Sequence, residues 1–246
     1  MHKEYIYENN ISNTAILFIH GILESPNQFE DFIEALDNKF TVFNVLLPGH
    51  GKSGKDFARS SMNEWSKYIE DAVLSLENKY DNIIIVAHSM GTLLAIEIYN
   101  KHPEKIKVLF LLAVPLHIKL SFSGAINGIK VALNKVKSSD IIAIEAKKAY
   151  SIDNKSIVTY IYWIPRYIEL YIKCRQARAI LRKIEVPTII YQSKKDEFVR
   201  RKSIRYFKGK ENFEPYELTK SRHFYYDKNE RSIMIKRLIN YINSIK

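Results

Sequence analysis

A serine stands directly after an uninterrupted apolar run, in the segment Val86-Ala87-His88-Ser89-Met90-Gly91. The run predicts a strand buried on both faces, and the apolar residues that follow predict a helix. A sharp turn between the two would expose the serine hydroxyl, and the amides at the helix N-terminus would favour negative charge developing there. Small residues at Ala87 and Gly91 would let this turn pass close to its neighbours. The spacing indicates a nucleophilic serine, with an ordinary helix cap as the alternative role of Ser89.

Strand and helix patterns alternate on both sides of this segment, and they must position the serine. Short apolar runs have the length of buried strands, and apolar residues at helical spacing separate them. The alternation implies an α/β fold with a doubly wound, mostly parallel sheet. The predicted strands are residues 15–19, 41–45, 82–87, 106–112, 188–192 and 213–218, and the predicted helices of this part of the chain lie near 29–36, 65–76, 93–98, 202–207 and 233–239.

The alternation stops after Pro115. The next 65 or so residues contain helical patterns and no convincing strand. We therefore expect a helical insertion, here called the cap (lid), of residues 116–182 between two strands of an α/β core formed by residues 1–115 and 183–246. The helical patterns of the cap are residues 126–136, 141–150, 157–171 and 176–181.

The segment around Ser89 resembles the G-x-S-x-G motif of the α/β-hydrolase superfamily of serine hydrolases, with Ala87 in place of the first glycine. The resemblance implies a catalytic triad in the chain order serine, acid, histidine. Residues 193–199 resemble the superfamily's G-x-x-D-x-x-V loop, which makes Asp196 the acid. Residues 219–224 resemble its S-G-H segment, with Arg222 in place of the glycine, which makes His223 the base. Glu197 is the weaker alternative for the acid, because it would face the other way from the loop.

Two further loops resemble the same superfamily. The segment His20-Gly21-Ile22 resembles its H-G-x motif. This implies an oxyanion hole made by the backbone N–H groups of Ile22 and Met90. Residues 48–53 resemble its P-G-H-G-x-S loop, in which His50 is expected to shape the turn. His88, inside the elbow, is expected to be a packed, hydrogen-bonded residue and not the base.

The resemblance implies hydrolysis of carboxylic esters through an acyl-enzyme on Ser89. The motifs are most similar to the compact carboxylesterase and monoacylglycerol lipase branch, which acts on short or medium acyl esters and on monoacylglycerols. The motifs account for this chemistry without a metal or an organic cofactor, and the sequence has no H-x-x-x-H or C-x-x-C pair. Thioesterase, lysophospholipase and other chemistry on the same triad remain alternatives, because the pocket and not the fold sets the substrate.

The predicted cap contains a markedly aromatic segment, residues 160–168. Tyr160, Trp163 and Tyr167 are the candidates for binding an apolar acyl chain of the substrate. The alternative is that these rings only pack the cap onto the core. Pro165 predicts a kinked, partly buried helix here.

The basic charge is concentrated in one part of the chain. The 246 residues are 46% hydrophobic, which allows a sizeable core and excludes disorder, and they carry a net charge of +11. Residues 173–210 hold 13 basic and 3 acidic side chains. This excess comes without a nucleic-acid-reading motif, so we expect no nucleic acid partner and regard a non-catalytic basic binding module as less favoured. It predicts a solvated surface or a weak contact with anionic membrane, and Lys194 and Lys195 are expected to favour the ionised form of Asp196.

The cysteine content bears on the compartment. The one cysteine, Cys174, cannot form an internal disulfide, which favours a reducing environment. The sequence shows no signal-peptide pattern near its N-terminus and no apolar run of the roughly 18 residues needed to cross a bilayer. We expect a soluble, cytoplasmic protein whose partner is a small-molecule ester with an apolar acyl group.

Overall fold

A computed structural model describes residues 2–119, 137–154 and 156–245. Seven strands form one sheet: β1 (Tyr5–Tyr7), β2 (Thr14–Ile19), β3 (Thr41–Asn44), β4 (Asn82–His88), β5 (Ile106–Leu112), β6 (Thr188–Ser193) and β7 (Phe213–Leu218). Their order in the sheet is β1-β3-β2-β4-β5-β6-β7. The pair β1 and β3 is antiparallel, and the other pairs are parallel. The predicted α/β class is confirmed, and β1 is a strand that the sequence patterns did not predict.

Seven described α-helices accompany the sheet: α1 (Glu30–Ala35), α2 (Gly54–Arg59), α3 (Met62–Glu77), α4 (Met90–Lys101), α5 (Ile141–Ala149), α6 (Ile164–Ile180) and α7 (Lys228–Ser244). Short 3-10 helices span Pro26–Phe29, Ile157–Trp163, Leu181–Lys183 and Arg201–Phe207. The helix predicted at residues 126–136 lies outside the described residues. Within the described part of the chain, no helix is both long and apolar enough to cross a membrane.

Both faces of the sheet are buried. Along β2, Leu17 belongs to one apolar cluster and Phe18 to another, because successive side chains of a strand point to opposite faces. The cluster of Leu17 includes side chains of α3, α4 and α6, and the cluster of Phe18 includes side chains of α1 and α7. This two-sided burial explains why the central strands read as continuous apolar runs.

The parallel register brings the ends of the strands to one edge. Ala87 of β4 pairs with Ile19 of β2 on one side and with Leu111 of β5 on the other. Further along, Ser193 of β6 pairs with Leu218 of β7. The loops that follow β2, β4, β6 and β7 therefore meet at the same edge of the sheet, where ligands bind in open α/β folds.

The described part of the predicted cap is helical and is attached to the core by polar contacts as well as by packing. Trp163 is fully buried, and its Nε1 donates a hydrogen bond to the Gly54 carbonyl at 2.9 Å. Lys173 Nζ of α6 lies 2.8 Å from Glu97 of α4. Pro165 lies in the first turn of α6, so the predicted kink is instead a helix start, where a proline removes no intrahelical hydrogen bond.

Candidate active site

Ser89 occupies the turn between β4 and α4 in a conformation that side chains rarely adopt. Its φ is 49° and its ψ is −123°, and this strain persists only where the surroundings impose it. The Ser89 N–H donates to the Leu112 carbonyl at 2.9 Å. The Ser89 carbonyl accepts hydrogen bonds from Thr92 N at 3.0 Å and from Thr92 Oγ1 at 2.6 Å. The turn is therefore held on both sides of the serine.

The glycine two residues later allows this turn to form. A Cβ added at Gly91 would lie 2.3 Å from the Ile19 carbonyl oxygen and 2.6 Å from that of His20. These distances leave no room for a side chain, so the start of α4 can approach β2 only with glycine at this position. Ala87 lies inside β4 and is fully buried between its two neighbouring strands.

The loops after β6 and β7 bring Asp196 and His223 together. His223 Nδ1 lies 2.9 Å from Asp196 Oδ2. The other carboxylate oxygen, Oδ1, accepts the backbone N–H groups of Phe198 and Val199, each at 2.8 Å. Gln192 Nε2 lies 3.3 Å from Oδ2. The carboxylate is thus fully hydrogen-bonded although it is buried.

These contacts set the pKa values of the pair. Burial by itself would raise the pKa of Asp196, but the charge and hydrogen bond of His223 and the two amides lower it below its usual value. Burial by itself would lower the pKa of His223, but Asp196, Glu24 and Glu197 raise it. Lys194 and Lys195, which were expected to favour the ionised form of Asp196, are not among these main causes, and Lys194 Nζ lies 3.9 Å from Glu217.

His223 also lies against the serine turn. Ser89 is 6% exposed and His223 is 3% exposed. The ring centres of His223 and His88 are 4.9 Å apart, and His88 Nε2 lies 3.0 Å from the His223 carbonyl oxygen. The structure therefore places His223 between Asp196 and the residue that precedes Ser89.

Glu197, the alternative acid, contacts the backbone of the base and not its ring. Its Oε2 accepts the backbone N–H of His223 at 3.2 Å. Its Oε1 lies 2.7 Å from Arg222 Nη1. Arg222, which replaces the glycine of the S-G-H pattern, thus balances a buried carboxylate. Neither contact could be predicted from the sequence, because Glu197 lies 25 positions from Arg222 and 26 from His223.

The H-G-x loop after β2 lies beside the serine turn, since a Cβ on Gly91 would lie 2.6 Å from the His20 carbonyl oxygen. Within the described part of the chain, the N–H groups of Ile22 and Met90 donate no hydrogen bond to protein atoms. These are the two N–H groups that were expected to form the oxyanion hole. Ser151, from the segment after α5, holds this loop by donating from Oγ to the Glu24 carbonyl at 2.6 Å.

Two neutral histidines brace the same loop. His20 accepts the Leu47 N–H at Nε2 (3.1 Å), and its Nδ1 lies 2.9 Å from the Gly21 carbonyl. His50 accepts the Leu23 N–H at Nε2 (3.2 Å), and its Nδ1 lies 3.3 Å from the Pro48 carbonyl oxygen of its own loop. Burial lowers the pKa of His20 to about 4 and holds the pKa of His50 well below its usual range.

Glu24 is a site residue that the sequence patterns did not single out. It is 1% exposed, accepts the Gly21 N–H at 2.7 Å and lies 2.8 Å from His88 Nδ1. The only sequence signal was a charged residue in a short loop directly after a buried strand. Its partner His88 is 64 residues away, so the contact depends on the packing of two loops.

The three aromatic candidates of the cap have different surroundings. Trp163 is fully buried, with Phe57 at 5.0 Å and Tyr160 at 4.6 Å between ring centres, which favours the packing alternative for this ring. Tyr160 is partly buried against the same cluster. Tyr167 is 43% exposed, yet burial of its hydroxyl and the nearby Tyr160 raise its pKa to about 12.

Two groups of described side chains have metal-ligand atoms within 4.8 Å of one another: Glu24, His88 and His223, and Glu77, His102 and Glu104. In the first group, His88 already uses Nδ1 for Glu24 and Nε2 for the His223 carbonyl. A metal would have to displace these hydrogen bonds. The donor set therefore fits a hydrogen-bonded network better than a metal centre.

The chain is similar to one protein family and to named relatives. The sequence profile of the family described as serine aminopeptidase, S33, matches residues 11–223. The chain is 29% identical over 139 residues to the Arabidopsis thaliana protein named "Probable lysophospholipase BODYGUARD 1", a match that spans 54% of this chain and 29% of that protein. It is 23% identical over 186 residues to the "Thermostable monoacylglycerol lipase" of Bacillus sp. (strain H-257), spanning 75% of this chain and 71% of that protein.

Among solved structures, a similar fold is that of a chain described under "LipS and LipT, two metagenome-derived lipolytic enzymes". Its TM-score is 0.77 at 20% sequence identity, and the superposition covers 98% of this chain and 97% of that chain. At this level of identity the likeness establishes the fold.

Proposed function

The chain belongs to the serine aminopeptidase S33 family of α/β-hydrolases, and on that premise we propose that it is a serine esterase that hydrolyses carboxylic esters. The observation that carries the proposal is the contact of His223 Nδ1 with Asp196 Oδ2 at 2.9 Å, beside the strained turn at Ser89. A strained serine, a base and an orienting carboxylate are the parts that acyl transfer requires.

The proposed reaction has two steps. Ser89 Oγ attacks the ester carbonyl while His223 Nε2 takes its proton, and the amides of Ile22 and Met90 stabilise the tetrahedral oxyanion. The imidazolium then protonates the leaving alcohol, which leaves an acyl group on Ser89. Water attacks this acyl-enzyme and gives a proton to His223, which passes it to Ser89 Oγ as the bond between Oγ and the acyl group breaks and the acid leaves. Asp196 remains ionised throughout, holds the Nδ1–H tautomer and stabilises the imidazolium.

We propose short or medium acyl esters or monoacylglycerols as the substrates. Partly buried residues of two segments pack against the same apolar cluster: Ile22 and Leu23 of the H-G-x loop, and Tyr150 and Tyr160 of the cap. Their packing supports an apolar acyl site between this loop and the cap. The likeness to a monoacylglycerol lipase and to a probable lysophospholipase also supports a lipid ester. Tyr167 remains a proposed contact of the substrate.

Active-site labelling tests the catalytic proposal. A fluorophosphonate probe should label Ser89, and Ser89→Ala should abolish both labelling and hydrolysis of p-nitrophenyl esters. Ser66→Ala is the matched control, because Ser66 is 7% exposed and has a hydrogen-bonded hydroxyl on α3. The control should keep labelling and activity. A folded wild-type protein that is not labelled would overturn the proposal.

A substrate panel then resolves the class. It should contain p-nitrophenyl esters of graded acyl length, monoacylglycerols, a lysophospholipid and an acyl thioester. The proposal predicts the highest kcat/KM for a short or medium ester or for a monoacylglycerol. A preference for the thioester or for the lysophospholipid would assign the same triad to that substrate instead.

We also propose a weak contact of the cap with anionic membrane, where lipid esters are found. One exposed face of α6 carries Ile164, Ile168, Tyr171 and Arg175. Along the helix, its apolar side chains are therefore followed by a cation on the same surface. This arrangement suits the boundary between acyl chains and anionic headgroups. Apolar side chains more than half exposed on this part of the cap are Val158, Ile161, Tyr162, Ile164, Ile168 and Tyr171.

Vesicle binding tests the membrane proposal. The protein should sediment with phosphatidylcholine vesicles that contain phosphatidylglycerol and less with phosphatidylcholine alone. The double variant Ile161→Ser and Ile168→Ser should lose this binding. Ile233→Ser on α7 should retain it, because Ile233 is equally exposed (55%) but lies on the other face of the sheet from α6. Binding that does not depend on the anionic lipid would contradict the proposal.

A further inference from the structure

Glu24 and His88 are buried ionisable residues beside the proposed triad that the mechanism above does not use. Glu24 is 1% exposed and His88 is fully buried. His88 Nδ1 lies 2.8 Å from Glu24 Oε2 and 2.9 Å from Oε1. Because a buried charge is unfavourable unless it is paired and hydrogen-bonded, this contact needs a physical explanation.

The charge of the Glu24–His88 pair depends on which ring nitrogens of His88 carry a proton. His88 Nε2 lies 3.0 Å from the His223 carbonyl oxygen, which can only accept a hydrogen bond, so Nε2 carries a proton. Nδ1 faces two carboxylate oxygens at nearly equal distances, as a single N–H shared between two acceptors does. Protons on both nitrogens make His88 a cation, and Glu24 is then its counter-ion. With these protons in place, the two side chains form a buried ion pair with no net charge.

This pair connects three loops of the site. Glu24 accepts the N–H of Gly21 at 2.7 Å, directly before Ile22, the proposed oxyanion donor. His88 holds the carbonyl of His223 and precedes Ser89 in the chain. Two side chains therefore link the loop of the oxyanion donor, the loop of the base and the turn of the nucleophile.

Glu24 also faces the reacting nitrogen of the base, because its Oε1 lies 4.0 Å from His223 Nε2. The other charged groups around His223 are the protonated His88 ring, whose centre lies 4.9 Å from that of His223, Asp196 at Nδ1, and Glu197 at the backbone N–H, the latter paired with Arg222. The pKa of His223 is raised because these three carboxylates outweigh the effect of burial.

We propose that Glu24 and His88 are a positioning pair for the reaction at Ser89. They hold the H-G-x loop and His223 in place, and the Glu24 carboxylate stabilises the imidazolium that His223 becomes during acyl transfer. This inference rests on the proposed esterase function for its kinetic consequences. Its structural part, a doubly protonated His88 beside an ionised Glu24, holds independently of the substrate.

Glu24→Gln keeps the shape of the pair and removes its charges. The glutamine oxygen can accept from Gly21, and its NH₂ can donate to His88 Nδ1, which leaves His88 neutral with its proton on Nε2. The lost carboxylate lies 4.0 Å from His223 Nε2, and the ring centre of the lost cation lies 4.9 Å from that of His223. Because the carboxylate oxygen faces the reacting nitrogen and is one of the groups that raise the pKa of His223, its removal should lower that pKa.

Two measurements on wild type and Glu24→Gln test the proposal. In NMR spectra with ¹⁵N-labelled histidine at pH 7, wild-type His88 should carry protons on both ring nitrogens, and a pH titration should give a lower pKa for His223 in the variant. With p-nitrophenyl butyrate, the acid limb of kcat/KM should move to lower pH by the same amount. At pH 8 the kcat of Glu24→Gln should fall about tenfold while its KM stays nearly unchanged, because the H-G-x loop and His223 are then held less firmly in place.

Glu97→Gln is the matched control. Glu97 is a partly buried carboxylate on α4 that accepts hydrogen bonds from Ser66 at 2.8 Å and from Lys173 at 2.8 Å. The pH profile of kcat/KM for Glu97→Gln should coincide with that of the wild type. A purely structural role of Glu24 would lower the thermal stability and leave the acid limb in place.

The outcomes separate this inference from the proposed function. A single proton on wild-type His88, or an unchanged or higher pKa of His223 in Glu24→Gln, overturns the positioning pair even if the wild type hydrolyses esters. The NMR result as expected, together with a wild type that hydrolyses none of the esters, supports the ion pair and overturns the esterase proposal. The wild-type NMR measurement needs no variant, so a variant that fails to fold does not prevent the test.

Discussion

Asp196 is buried, yet the proposed chemistry depends on its charge. Burial raises the pKa of a carboxyl group, but hydrogen bonds from His223 and from two backbone amides more than compensate here. The carboxylate therefore favours a proton on His223 Nδ1, and in the proposed mechanism this leaves Nε2 to accept the serine proton. Glu197, next in the chain, meets the backbone of the same histidine and so supports the loop without touching the ring.

Asp196→Asn is predicted to lower kcat by about 10⁴, because an amide cannot stabilise the imidazolium and favours the wrong tautomer. Steady-state kinetics on a p-nitrophenyl ester would measure this loss, with circular dichroism as the check on folding. Glu197→Gln is the control for a neighbouring carboxylate, and we expect a loss of less than about 10². If the larger loss were found at Glu197, the assignment of the acid would have to be reversed.

At the scale of elements, the short 3-10 helix Ile157–Trp163 attaches the cap to the core. Trp163 extends from it into a cluster with Phe57 and donates to the carbonyl of Gly54, at the start of α2. Gly54 N in turn donates to the Asp153 carbonyl at 2.9 Å, so the cap and the start of α2 each donate a hydrogen bond to the other. Because α2 follows the P-G-H-G-x-S loop, the position of the cap depends on that loop.

Trp163→Ala is predicted to reduce the free energy of unfolding by about 3–5 kcal/mol, because it removes a fully buried ring. Trp163→Phe keeps an aromatic ring at this position and loses the hydrogen bond to Gly54, so about 1 to 2 kcal/mol should be lost. Urea unfolding followed by circular dichroism measures both. A stable Trp163→Ala protein with a raised KM only for long acyl esters would instead assign this ring to the substrate.

At the scale of the whole molecule, the basic segment 173–210 is not a single surface patch. Part of it is used inside the protein: Lys173 pairs with Glu97, and Lys210 Nζ donates to the Arg182 carbonyl at 3.0 Å. Arg201 forms an ion pair with Glu217 on the surface. The net charge of the segment therefore overstates the charge that a membrane or another partner would meet.

The stability of the whole molecule is predicted to fall between pH 6.5 and 4. The pKa of His20 is lowered from 6.5 to about 4, so the unfolded chain binds a proton in this range and the folded chain does not. The stabilisation that comes from keeping His20 neutral is complete above pH 6.5 and is lost progressively down to pH 4. There the free energy of unfolding is lower by about 3 kcal/mol. Urea midpoints measured from pH 8 to pH 4 would show it.

His20→Asn is the test variant for this pH dependence, since asparagine can keep the donor at the Nδ1 position without titrating. It should be less stable than the wild type at pH 8 and should show a shallower decline towards pH 4. His223 acts in the opposite direction, because its pKa is raised and its contribution is lost as pH rises. A decline of equal slope in His20→Asn would show that other groups cause the loss.

Much of the fold follows from local patterns in the sequence. The six predicted strands are present, because a strand buried on both faces must be apolar along its whole length. The three residues assigned from motifs follow β4, β6 and β7, as their positions in the chain imply. Strand β1 was not predicted, because it is three residues long and its side chains are mostly exposed.

Only the tertiary structure decided which side chains meet at the edge of the sheet. Glu24 and His88 lie 64 residues apart, and His88 and the His223 carbonyl are 135 residues apart, so no local pattern could pair them. The sequence likewise made Trp163 a candidate for the acyl site, and the structure buries its ring between the cap and α2. Local sequence determines strands, turns and the order of motifs because these depend on neighbours along the chain. Buried charges acquire partners only when distant loops pack, and that packing is a property of the whole fold.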